Sequence, residues 1–153
     1  VRITEEIDPA TQNVMAIRHF LSTYAQERMI WLDGRPHPPE EAPHTWMGFS
    51  TGRWEGDTLV VETTNLTDKV LYRGSAENMR LVERFTRVGP GAIDYRVTIV
   101  DPTTFTKPWT LAIPLVDTGE GLFEYACHEG NYGLAGILGG AREQERAGGQ
   151  AGR

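Results

Sequence analysis

The sequence predicts a mainly β protein: an antiparallel barrel of about seven to eight short strands with a short C-terminal helical segment. Three observations predict it. Short runs rich in Val, Ile, Thr, Trp, Phe and Tyr recur along the chain. The 17 Gly and 9 Pro fall between those runs, where chain reversals use them. The runs also alternate apolar with polar residues, and a single apolar face per strand suits a barrel with a lined interior. With 153 residues, 39% of them hydrophobic, the chain is the size of one domain with a sizeable core.

The elements follow in order. Residues 13–24 admit two readings. Asp8 and Pro9 can cap a helix whose stripe is Val14, Ile17, Leu21 and Tyr24. A strand would instead align Met15, Ile17, His19 and Leu21 on one face. Residues 29–32 (MIWL) form a short strand ended by Asp33-Gly34. Residues 46–54 and 58–64 form a hairpin through Glu55-Gly56-Asp57. Residues 81–88 and 92–100 form the clearest hairpin, around Gly89-Pro90-Gly91, with Gly91 expected at positive φ. That turn pairs Leu81 with Ile99, Glu83 with Val97, Phe85 with Tyr95 and Arg87 with Ile93. These residues share the apolar face, so Glu83 is expected in the middle of the inward face.

Residues 107–115 supply a strand with Trp109, Leu111, Ile113 and Leu115 inward, which tolerates Pro108 and Pro114 only at its ends or on an edge. Residues 122–127 read as a last strand bearing Phe123, Tyr125 and Cys127 on one side. A short helix is expected within 134–147, weakened by Gly136, Gly139 and Gly140, packing outside the barrel or closing one end. Residues 142–153 hold no apolar residue larger than Ala and read as a disordered tail, leaving one barrel domain at 1–141.

A net charge of −6 argues against nucleic acid as partner, because phosphate binding needs a basic face. No stretch is long and apolar enough to span a bilayer. One Cys leaves no internal disulfide and no cysteine-rich zinc site. A chain beginning at Val1 is expected to be a processed product.

The segments DGRPHPPEEAPHTWMGFSTGRWEGDTLVVETTNLTDK, VERFTRV, VTIVDPTTFTKPWT and EYACHEGNYG together resemble an uncharacterised family of small secreted bacterial proteins, over roughly residues 29–141. That family looks like lipocalin-type (calycin-like) barrels, through Gly52, Trp54, Gly56, Asp57, Thr58 and Leu59 in a G-x-W-x-G-D-T-L pattern. The resemblance implies a periplasmic or extracellular place and favours the strand reading of residues 13–20. It brings no catalytic residues.

Glu83 is the foremost candidate for chemistry. Burial would raise its pKa and make it a usable general acid or base, unless it is solvated or paired with an interior Arg. His37 and His44 lie in a proline-stiffened loop, and His128 follows the last strand beside Cys127 and Glu129. With a carboxylate, these three His are the candidate ligands of a divalent metal, the one cofactor the sequence suggests. Adjacent strand residues point oppositely, so Cys127 and His128 do not form a nucleophile pair; buried structural Cys is the expectation. Arg84 and Arg96 oppose each other on the outer face and require an acid, Glu62 or Glu124, or an anionic ligand. Trp31, Trp46, Trp54 and Trp109 line a pocket or fill the core.

The expected function is binding of a small, largely apolar molecule in the barrel, with Glu83, His19, Tyr95, Trp109 and Trp46 lining it and Arg84 and Arg96 as anion contacts. The alternative is an enzyme in the same cavity, a hydrolase, lyase or isomerase, with Glu83 as acid or base and His128 or His44 as the second proton carrier or metal ligand. A third reading is an envelope accessory module that binds another protein through an exposed apolar patch. An open barrel completed by a second chain would make a homodimer.

Overall fold

A computed structural model describes residues 1–22, 25–69, 72–75, 77–121, 125, 130 and 132–150. Two compact units divide the chain, Val1–Phe123 and Glu124–Arg153, where a single domain ending at residue 141 was expected. The first holds eight strands: β1 (Arg2–Ile7), β2 (Val14–Leu21), β3 (Gln26–Trp31), β4 (Phe49–Glu55), β5 (Thr58–Thr64), β6 (Arg80–Gly89), β7 (Ala92–Val100) and β8 (Trp109–Val116). They form one curled sheet in sequence order, a half-barrel. Among the described residues β1 and β8 do not pair with each other, so the barrel is open. Both edges are blunted: β1 carries Glu5 and Glu6, and β8 carries Pro114, which has no N–H to offer.

Local chemistry explains the pairings. Residues 14–21 are a strand, not a helix, and pair with β1 and β3 on either side. Gly56, at φ 58°, opens the two-residue loop that joins β4 to β5, with Glu55 opposite Thr58. The β6–β7 hairpin has the register deduced above, Glu83 opposite Val97 and Phe85 opposite Tyr95. Its turn differs: Gly91 does not take positive φ, and a bulge between Arg87 and Gly89 absorbs the extra residue instead. One pairing is parallel where all were expected antiparallel. Ile30 and Trp31 of β3 lie beside Ser50 and Thr51 of β4, across a connection long enough to reverse the chain twice.

The concave face carries two apolar clusters. Ile17, Ile30, Leu59, Val61 and Phe85 form one; Leu66, Met79, Val97 and Ile99 form the other. Tyr95 packs against both. On β8 only the ends of the expected inward face are partly covered: Leu111 and Ile113 are 37% and 40% exposed.

In the second unit, α1 (Gly133–Gln150) runs on through the stretch expected to be a disordered tail, as far as Gln150. Its Ala, Glu, Gln and Arg have high helix propensity, and Arg146 pairs with Glu143 one turn back at 2.7 Å. The strand expected over 122–127 lies outside the described residues but for Tyr125.

Gly48 shows why one position in the sheet approach must be glycine. Its φ is 65°, and a Cβ there would meet the Thr64 carbonyl oxygen and the Thr63 methyl. Gly48→Ala is expected to lower the unfolding free energy by about 2 kcal/mol, combining left-handed strain with a backbone clash. Urea denaturation reads this directly, and an unchanged midpoint would show that the loop shifts freely.

Candidate functional site

The site is built from the inner face outward. Alternation along β6 turns Glu83 inward, where it is 2% exposed. Alternation along β3 turns Arg28 inward with Ile30. The two meet across the concave face as a bidentate pair: Arg28 Nη1 donates to Glu83 Oε2 at 2.7 Å and Nη2 to Oε1 at 2.8 Å. The Tyr95 hydroxyl donates to Glu83 Oε1 at 2.8 Å. Arg28 also donates from Nη1 to Thr63 Oγ1 at 3.3 Å and from Nε to His19 Nδ1 at 3.1 Å. The Thr63 hydroxyl bonds that of Ser50 at 2.8 Å. Six successive strands, β2 to β7, each give one side chain to this network.

Burial alone would push the Glu83 carboxyl up, but the hydrogen bonds and charge of Arg28 outweigh it and hold it below its ordinary value. This corrects the expectation of a raised pKa. With both oxygens held by Arg28 and Tyr95, the carboxylate is a fixed anion rather than an exchangeable acid or base. Arg28, Thr63 and Ser50 were not singled out from the sequence; the interior Arg was foreseen only as a type.

A cavity of about 410 Å³ opens beside the network, at the end of the half-barrel that carries the β4–β5 and β6–β7 turns. Its apolar wall comes from Ile3 of β1, Ile17 of β2, Ile30 of β3, Leu59 of β5, Phe85 of β6 and Ile93 of β7, with Trp54 at its margin. Thr4, Glu5, Asp57 and Arg87 supply the polar remainder, and His19 brings the network to the cavity wall. A wider cleft of about 780 Å³ runs along the open seam between Val1 and Ile3 on one side and Leu115 and Val116 on the other. Turn residues such as Gly89, Pro90 and Gly91 line much of it, so it lacks the apolar enclosure of the first.

Burial, then the neighbouring Arg28 charge, lowers the His19 pKa from 6.5 to about 4. Burial likewise pushes the Tyr95 phenol up, reinforced by Glu83. Tyr95 is therefore a neutral donor committed to Glu83, and does not line the cavity as expected.

The remaining candidates are dispersed. Trp109 belongs to the second cluster, stacked on Tyr72 at 6.0 Å and edge-on to Phe105 at 5.7 Å. Its sealed indole N–H is the one buried side-chain donor without a partner among the described residues. Trp46 is 59% exposed in the loop before β4. Trp31 lies against the Arg35 guanidinium, 3.6 Å from its ring centre. Arg84 and Arg96 do oppose each other on the outer face, but the acids are Glu55, 3.0 Å from Arg84, and Asp94, 3.0 Å from Arg96. Glu62 instead pairs with Arg53 and Arg80, and Glu124 lies outside the described residues.

Of the histidines expected to share a metal, His37 and His44 line one hollow, but their ring nitrogens are hydrogen-bonded to other groups. His37 sits on the outer face of β4–β5, its Nδ1 3.0 Å from Thr64 Oγ1 and its Nε2 2.8 Å from Thr51 Oγ1. His44 bonds the Leu66 and Glu40 carbonyl oxygens at 2.7 and 2.9 Å, and those two carbonyls raise its pKa. His128 and Cys127 lie outside the described residues. Among the described residues no three His, Cys, Asp or Glu gather to hold a metal. Among the described residues no helix is long and apolar enough to cross a membrane. An acidic centre that the sequence did not reveal is Asp101. It accepts from Ser75, from Thr103 N at 2.9 Å and Oγ1 at 2.6 Å, and from Thr104 N at 3.2 Å, and these bonds lower its pKa.

Neither protein-family models, nor curated proteins, nor solved structures give any match to this chain.

Two outcomes test the network. Glu83→Gln leaves a buried guanidinium without its counter-charge and is expected to lower stability by about 3–5 kcal/mol, whereas Arg28→Met with Glu83→Leu recovers most of that loss. Urea unfolding of the single and double variants measures this; additive losses would mean that the two groups do not depend on each other. The second outcome concerns pH. Unfolded His19 takes up its proton near 6.5 and folded His19 only near 4, so stability is lost as pH falls between those values. In His19→Gln that decline is expected to be shallower. Equal slopes in both proteins, from urea midpoints at about pH 7.5 and 4.5, would place the imidazole in water.

Proposed function

We propose that this protein binds a small, largely apolar molecule in the concavity of its curled sheet. The observation that carries this reading is the cavity of about 410 Å³ with its wall of Ile, Leu and Phe side chains from six strands. Such a wall gains by excluding water, at about 25 cal/mol for each Å² of apolar surface covered. The site is preformed, since the buried network beneath it holds the strands in place. Few polar groups converge on it, which is the usual composition of a small-molecule site.

The same geometry disfavours the enzymatic alternative built on Glu83. Both oxygens of that carboxylate are occupied, its pKa is lowered, and it is not part of the cavity wall. The likeness to lipocalin-type barrels agrees with a binding role, and with it goes a place outside the cytoplasm.

A fluorescence titration with Nile red tests the proposal. Saturable binding with one site per chain is expected. Ile93→Trp, which fills the cavity, is expected to weaken binding about tenfold, as loss of enclosed apolar contact implies. Trp46→Ala, in the exposed loop, should leave it unchanged. Unsaturable uptake, or equal affinity in the wild type and Ile93→Trp, would sink the proposal.

A further inference from the structure

His19 is the one side chain that joins the buried network to the cavity wall, and its proton position follows from its partner. Arg28 Nε can only donate, and it lies 3.1 Å from His19 Nδ1. Nδ1 must therefore accept, and the single proton of the neutral ring sits on Nε2. No described residue accepts from Nε2. Nor is that atom sealed in protein, because Trp109 Nε1 is the one sealed and unpartnered side-chain nitrogen or oxygen among the described residues. The residue as a whole is only 8% exposed, and Phe85, another wall residue, packs edge-on at 6.2 Å between ring centres. The outlet for Nε2–H is thus the cavity.

We infer that the cavity selects apolar molecules bearing one neutral hydrogen-bond acceptor, a ketone- or ester-type carbonyl, which His19 Nε2–H engages. This deepens the binding role proposed above and rests on it. The donor is aimed into a cavity whose wall is mostly apolar, where an unmatched N–H is costly and a matched one is strong. The acceptor must be neutral for two reasons. The guanidinium behind His19 already has its carboxylate in Glu83, and the charged groups bordering the cavity are two acids, Glu5 and Asp57, against one base, Arg87. A ligand carboxylate would meet no unbalanced positive charge there.

The test compares three probes of one shape, the β-isomers of acetylnaphthalene, ethylnaphthalene and naphthoate, by calorimetric titration of the wild type at neutral pH. His19→Phe is expected to weaken acetylnaphthalene about tenfold and ethylnaphthalene less than twofold. His19→Gln, which keeps both a donor and an acceptor, should restore the ketone. Naphthoate should bind the wild type at least about tenfold more weakly than the ketone. Nitrogen-detected NMR of the wild type is a readout that does not need the variants to fold. It should show a protonated Nε2 and a bare Nδ1 on His19, with the Nε2 proton moving downfield for acetylnaphthalene alone. Equal losses for ketone and hydrocarbon in His19→Phe, a proton on Nδ1, or naphthoate binding more tightly than the ketone would each overturn the inference while leaving the cavity's role intact. Failure of both neutral probes to bind would overturn the role itself.

Discussion

The bidentate pair between Arg28 and Glu83 is the constraint around which the inner face is organised. Neither charge reaches bulk water, so each must find its partner, and the rest of the interior is arranged to keep them matched. Tyr95 completes one carboxylate oxygen, Thr63 takes a remaining guanidinium proton, Ser50 steadies Thr63, and His19 accepts from Nε. The layer divides the apolar interior in two. One cluster gathers around Val97 and Ile99, and the other borders a chamber beside Ile17, Leu59 and Phe85. The second cluster and the chamber lie on opposite sides of the same ionic layer.

Much of this was legible in the sequence, and the parts that were not fail for physical reasons. The inward position of Glu83 follows from counting residues across a short turn, because side-chain alternation has no slack. Arg28 escaped notice because Gln26, Glu27 and Arg28 read as a polar approach to residues 29–32; a buried cation looks like a solvated one until its partner is known. β1 escaped because RITEEI holds two isoleucines four apart, which marks neither a strand nor a helix face. Without β1 the cavity has no Ile3 and cannot be drawn. Direction is invisible to alternation, so the parallel contact of β3 with β4 could not be read. Composition misjudged residues 142–150 because the absence of large apolar side chains excludes a core, not a helix.

The histidines show how one residue type diverges with its surroundings. His37 and His44 cover the outside of the sheet and its margin, one between two threonine hydroxyls and the other between two carbonyl oxygens. Two carbonyl acceptors favour a doubly protonated ring at His44, whereas a guanidinium donor enforces a neutral ring at His19. His37 and His44, two of the three expected metal ligands, line one hollow beside Met79 and Arg80, whereas His19 lies on the inner face.

A buried charge pair is a poor source of stability and a strong discriminator among folds. A slip of β3 by one residue would exchange Arg28 for Glu27 or Met29 on the inner face, setting a second carboxylate or nothing at all against Glu83. A slip of β6 would present Arg84 or Val82 to Arg28. Alternation already rejects a slip by one; a slip by two keeps the same face inward, and apolar positions tolerate it, since one Val or Leu is nearly as good as the next. The ion pair does not, because every misregistered sheet strands a charge in a dry interior. The pair thus acts as a proofreading contact for a curled, hairpin-rich sheet whose apolar residues alone would accept alignments shifted by two.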